Sequence, residues 1–332
     1  MNMKGKSILY VLVAVLLVGC AGGGSKSSET KEKAEFKALP FPDVQLPMVI
    51  SSQEEALEYM AQNYWNSFTE PTRDYPSDSL MVSGVLRGDV EQKFADWTAV
   101  LDQVDPEVSE TSISRLYDRI LACEQADASS DVFETFVGLF QKYFYDPNSP
   151  LRNEERYLPF VRKYAEYEGI TDVEKEKYRR EASLCSLNRI GSKAADFRFA
   201  DRNGRIRHLY DIEADLILLF FSNPGCEACM NIINMLNGHP YVSQLISEGS
   251  LTVLNIYIDE DIQAWRSYMP IYPENWYNGF DPDMMLRGNE IYCVRAIPSL
   301  YLLDKEKRVI MKDAPEDKVM NFLSGIDMES FR

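Results

Sequence analysis

Cys226 and Cys229 stand in the stretch Asn223-Pro224-Gly225-Cys226-Glu227-Ala228-Cys229, after the unbroken apolar run Leu216–Phe221 and before a helical pattern through Ile232, Ile233 and Leu236. With two residues between them at a helix start, one turn brings both sulfurs within disulfide reach. The first sulfur then faces unsatisfied N–H groups and the positive end of the helix dipole, which favour a thiolate. That makes Cys226 the candidate attacking nucleophile. Cys229, one turn inward, is the candidate to resolve a mixed disulfide. A structural zinc site needs about four ligands, and no second pair stands at metal spacing. His239 reads as a surface or packing residue. Covalent haem attachment requires a histidine where Met230 stands. No metal and no cofactor is expected.

The elements around the pair alternate in type. Ala195–Ala200 and Arg205–Leu209 flank the turn Asp201-Arg202-Asn203-Gly204 and read as a β-hairpin, since Asn-Gly favours tight turns. Leu216–Phe221 suits a strand buried on both faces, and Leu251–Ile258 a second one. Ala296–Asp304, the turn to Lys307 and the strand Arg308–Met311 follow, with a closing helix over Glu316–Leu323. This order, with Ile297-Pro298 heading a strand some seventy residues after the cysteines, resembles the TlpA-like thioredoxin-fold family from Arg189 to the C-terminus.

The resemblance implies an α/β thioredoxin-like fold and dithiol–disulfide exchange with protein thiols or disulfides. It implies that Pro298 is a third catalytic-site residue, with Ile297–Pro298 a cis bond lying against the cysteines; proline makes such a bond comparatively cheap. The chain departs from the family in three places. Gly225 stands where a Trp is usual, Phe220 where thioredoxins carry a buried acid, and Ile232 where many relatives have a glutamate. A peroxiredoxin is not matched, because Asn223 occupies the position of its threonine. Glu227 is a candidate modulator whose charge would oppose the thiolate, although exposure is the expectation. Ile297 and Cys293 are the other candidate modulators. Cys293, five residues before Pro298, either approaches the site or fills a strand as a small residue.

At 332 residues, 45% of them hydrophobic and 12% aromatic, the chain should hold about two packed domains. A net charge of −17 argues against nucleic acid or an anionic lipid surface as the main partner. Lys4 and Lys6 precede the apolar run Ile8–Val18, too short to span a bilayer and about right for a signal peptide. The run ends Leu17-Val18-Gly19-Cys20, resembling the bacterial lipobox, which implies a lipid on Cys20 and a lipid-anchored, extracytoplasmic protein of a Gram-negative envelope. Residues 1–20 are thus assigned as signal peptide and 21–48 as a flexible tether. Residues 49–188 are assigned as an all-α helical domain, and 189–332 as the thioredoxin-like domain.

Helices are expected over Val90–Val104, Ser112–Gln125, Val132–Tyr145, Glu154–Tyr167 and Asp172–Ser186, with another after Ser52, where Glu55 completes a capping box. The aromatics of this segment, Trp65, Phe94, Trp97, Phe133, Phe136, Phe140, Tyr143 and Phe144, read as core. The charged stretch from Arg152 to Arg180 reads as a solvated face. Its layout resembles helical domains of unknown function that precede thioredoxin-like domains in bacterial lipoproteins. Cys123 and Cys185 read as buried thiols, with a disulfide between them left open by the oxidising compartment. The expected function is a membrane-anchored thiol:disulfide oxidoreductase, reductase favoured over oxidase because thiolate stabilisation is weak. The alternative is a scaffold or binding lipoprotein that keeps the fold without turnover.

Overall fold

The computed structural model describes residues 37–71, 79–288 and 290–326. Cys20 and the lipobox lie outside the described residues. The first helix, α1 (Gln53–Asn63), opens on Ser52, whose hydroxyl accepts the Glu55 N–H while the Glu55 carboxylate accepts the Ser52 N–H. After it come two short antiparallel strands, β1 (Met81–Val82) and β2 (Val85–Leu86). Ser83 and Gly84 turn between them, both at positive φ. The expectation of an all-α segment is therefore corrected. A Ser-Gly pair between apolar β-formers is a two-residue hairpin signal, and here it buries Val82 and Val85.

Then follow α2 (Arg87–Leu101), α3 (Pro106–Ala126), α4 (Val132–Phe140), α5 (Glu154–Tyr164) and α6 (Asp172–Cys185). Pro106 sits at the start of α3, where its missing N–H costs nothing. The helix α4 widens into a π-turn over Gln141–Tyr145. These elements enclose an aromatic core in which Trp65 meets Phe136 edge-on at 4.8 Å and Phe140 stacks on Phe160 at 4.2 Å. The aromatics expected inside are inside, with Tyr143 at the margin. Full burial contributes roughly 1.5–3 kcal/mol per large apolar side chain.

The rest of the chain builds a seven-stranded sheet in the order β4-β3-β7-β6-β5-β8-β9. Its strands are β3 (Arg198–Asp201), β4 (Ile206–His208), β5 (Leu216–Phe221), β6 (Leu251–Tyr257), β7 (Tyr277–Phe280), β8 (Ser299–Asp304) and β9 (Val309–Met311). Between them run α7 (Glu227–Gly238), α8 (Pro240–Glu248), α9 (Ile262–Tyr268) and α10 (Met285–Gly288), and α11 (Glu316–Gly325) closes the chain. Central β5 pairs parallel with β6 and antiparallel with β8. Its side chains alternate between two cores, as strand geometry requires. Leu216, Leu218 and Phe220 pack with α7, α8 and α11, while Ile217, Leu219 and Phe221 pack with Phe197, Phe199 and Tyr292.

The Trp/Tyr/Pro-rich segment from Trp265 to Arg287 inserts β7 between β6 and β3. Trp265 and Trp276 are both buried. Gly279 permits this insertion, since a Cβ there would come within 2.6 Å of the Phe199 ring and 3.0 Å of the Ala200 carbonyl.

The described residues from Ala38 onward form one compact unit. Within it the helices meet the sheet through a buried ionic cluster. Glu154 at the start of α5 pairs with Lys312 at 2.9 Å and with Arg295 at 2.9 Å. Arg295 pairs in turn with Asp313 at 2.7 Å and lies 4.6 Å over the Tyr145 ring. Lys312 also donates to the carbonyls of Cys185 and Leu187. The stretch from Arg152 to Arg180 is thus only partly a solvated face. Glu154 and Arg156 are buried because their partners, Arg295, Lys312 and Asp102, come from elsewhere in the fold.

Candidate active site

Cys226 is the N-cap of α7: its backbone is extended, and its sulfur accepts the N–H of Cys229 at 3.1 Å. The usual N-cap oxygen is replaced here by a sulfur that satisfies one of the helix's orphan donors. The two sulfurs are joined as a disulfide across a Cα separation of 5.2 Å. Cys226 is half-buried, Cys229 is only 2% exposed and Glu227 is exposed. An attacking partner therefore meets Cys226 first.

Gly225, just before it, has φ +74°. A left-handed backbone strains any L side chain, which gives a physical reason why this chain has no Trp there. Phe220 is fully buried where thioredoxins place an acid, and Ile232 is buried as well. Beside Phe220 on the neighbouring strand lies Asn255, 1% exposed. It accepts the Ser222 hydroxyl and donates to Asn278 Oδ1 at 3.0 Å. The sheet thus carries a buried polar row next to the site, but amides neither take nor give a proton in this role. Sequence reading missed Asn255; its signal was a polar residue inside an otherwise apolar strand.

The Ile297–Pro298 bond is cis. Ser299, the next residue, is the Cα partner of Phe221 in the β5–β8 ladder. The chain therefore enters β8 through Pro298 at the edge where it leaves β5 for the cysteines. Cys226 and Ile297 pack against the same apolar core. On the other side of the cysteine loop, Asn223 Nδ2 donates to Asp259 at 2.7 Å, and Asp259 pairs with Arg287. A cavity of about 380 Å³ opens here, lined by Asp259, Arg287, Val294 and Ile297, with Leu184 contributed by α6.

The other described cysteines are free thiols, and Cys293 lines the same cavity as Ile297. Cys293 lies in a loop, not a strand, with its carbonyl accepting the Tyr301 hydroxyl at 3.0 Å. Its thiol faces inward toward Glu154; burial, then that carboxylate, raises its pKa. Cys123 and Cys185 are separate, buried free thiols, and burial raises the pKa of each. His239 caps α8, accepting from the Val242 N–H at 3.4 Å. Among the described residues no cluster of His, Cys, Asp or Glu has the makings of a metal site.

Sheet order, helix placement and the capped cysteine pair define a thioredoxin-like protein. The chain belongs to the family of the domain of unknown function DUF5106, whose model matches residues 19–188, just over half of it. It is similar to a thioredoxin-like protein from Bacteroides caccae ATCC 43185, 33% identical, over 87% of this chain and 99% of that one with a TM-score of 0.75. That match spans the helices as well as the sheet. The C-terminal domain of an uncharacterized protein from Bacteroides fragilis NCTC 9343 is 39% identical over 41% of this chain and 98% of its own, TM-score 0.40. A domain of a possible thiol-disulfide isomerase from Cytophaga hutchinsonii ATCC 33406 is 22% identical over 42% of this chain and 93% of its own, TM-score 0.36. No curated protein matches the chain.

Proposed function

We propose that this chain is a membrane-anchored, extracytoplasmic thiol:disulfide oxidoreductase that reduces protein disulfides. The observation that carries the reading is Cys226 at the N-cap of α7, half-buried and bonded to a deeper Cys229. In the reduced enzyme the Cys226 thiolate attacks one sulfur of a partner disulfide. A Cys226–partner disulfide forms, and the partner's other sulfur leaves as a thiolate. The Cys229 thiolate then attacks Cys226, closes the intramolecular disulfide and releases the second partner thiolate. Two electrons pass to the partner, and a dithiol donor must return them. Phe220 and Gly225 leave the thiolate with little help beyond the helix end, which favours a reducing pair. Those same two residues favour the second reading, a thioredoxin-fold scaffold lipoprotein without turnover. Lipid on Cys20 would anchor the chain, each buried methylene contributing about 0.8 kcal/mol.

Non-reducing electrophoresis of variants purified from their own compartment decides between the two readings. Cys229→Ser should retain partners as mixed disulfides on Cys226, and Cys226→Ser should retain far fewer. If neither variant captures a partner and the wild-type pair stays oxidised against strong reductants, the scaffold reading takes its place. For the anchor, Cys20→Ala should move the protein from the membrane to the soluble fraction and abolish fatty-acid labelling; unchanged labelling would refute lipidation there.

A further inference from the structure

The segment Arg295–Ser299, with the cis bond inside it, is stapled at both ends by one carboxylate. The Ser299 hydroxyl donates to Asp313 Oδ1 at 2.7 Å, and Arg295 Nη2 donates to Asp313 Oδ2 at 2.7 Å. Asp313 is itself held from the helical side, where Arg152 donates to its carbonyl and to that of Ala314, both at 3.0 Å. Arg295 is held from that side too, since its Nε donates to Glu154 Oε1 at 2.9 Å. Glu154 and Lys312 have side chains only 1% exposed, so each charge depends on the others for solvation. Val294–Ile297 line the cavity that Asp259 and Arg287 also face, and Leu184 of α6 lines it too. The helical segment thus meets the proline segment twice: by a residue lining the same cavity and by the anchor on Arg295.

We propose that Glu154 is a positioning residue: by fixing Arg295, and through it Asp313 and Ser299, it holds the Ile297–Pro298 segment where a polypeptide disulfide must be laid against Cys226. The chemistry of this step rests on the exchange reading above; the geometry does not. A protein disulfide has to be docked along this segment before attack, so a displaced segment slows it. A small dithiol reaches the half-buried Cys226 without that support, so its rate is unaffected.

The test uses the full chain as wild type, Glu154→Gln, Ser299→Ala and the double variant. Insulin serves as the polypeptide disulfide, and dithiothreitol as the small dithiol that reduces the oxidised pair. Each single variant should lower kcat/KM for insulin about tenfold, through KM. Reaction with dithiothreitol should stay at the wild-type rate. The double variant should be no worse than either single one, because both cut the same chain of contacts. Hydrogen exchange over residues 293–300 should quicken in Glu154→Gln, with β5 unchanged. Unaltered exchange in that segment overturns the proposal, and so does an equal loss for insulin and dithiothreitol, which marks general damage. Should wild type fail to reduce insulin, the exchange reading falls, and hydrogen exchange alone decides the claim about the segment. Should Glu154→Gln fail to fold, Ser299→Ala gives the same readouts from the other end.

Discussion

Gly225 shows how one residue sets the character of the site. Its φ of +74° lies where an L side chain costs roughly 1–2 kcal/mol, and no neighbour crowds a Cβ there. Gly225→Ala should therefore lower stability by about 1–2 kcal/mol through backbone strain alone, measurable by urea denaturation; an unmoved midpoint would contradict it. Reactivity at this scale follows exposure and thiol pKa. In the reduced native chain iodoacetamide should label Cys226 first, as read by peptide mass spectrometry. Cys123, Cys185 and Cys293 should stay unlabelled, since all are buried with pKa values raised by burial. Rapid labelling of any of these three would mean that the fold opens there. Cys226 and Cys229 could be found from sequence because their relation is local, three positions along one helix turn. Glu154 could not, since its partner Arg295 lies 141 positions away.

At the level of elements, the hairpin β3–β4 is closed by Asp201. Its carboxylate accepts the N–H groups of Asn203 and Arg205 at 2.9 and 3.0 Å and Arg207 Nε at 2.9 Å. Burial pushes its pKa up, but these donors outweigh burial and hold it below the ordinary value of 3.8. A depressed carboxyl stabilises the fold above its unfolded pKa, and that contribution disappears as pH falls through the folded value. Asp201→Ala should cost roughly 1–3 kcal/mol near neutral pH. The gap to wild type should narrow as pH drops from 4 towards about 2, as urea titrations at several pH values would show; a gap independent of pH would refute the linkage. The Asn-Gly turn made this hairpin legible. The strands Met81–Val82 and Val85–Leu86 were not, because two-residue strands offer too few positions for a period to register.

For the whole molecule, the cluster of Glu154, Lys312, Arg295 and Asp313 is a buried tie between helices and sheet. Removing one partner of a buried pair typically costs about 3–5 kcal/mol, and Lys312 also satisfies the carbonyls of Cys185 and Leu187. Lys312→Met should therefore destabilise by about that amount while leaving a single calorimetric transition at lower temperature. Two separate transitions in wild type would show that the halves unfold independently.

What the sequence determined by itself is everything that depends on short range and period. It placed the buried strands, the helix that begins at Cys226, the turn at Gly204, the aromatic core and the resemblance that pointed to Pro298. Tertiary structure alone decided the rest. It inserted β7 beside β6, kept Cys123, Cys185 and Cys293 as buried free thiols, and turned part of a charged helix face inward. The reason lies in solvation. A charged residue such as Glu154 reads as exposed in any window of sequence, because burying it alone is costly. Only the fold supplies Arg295 and Lys312 as countercharges from distant loops, and with them a buried tie between the helices and the residues around Pro298.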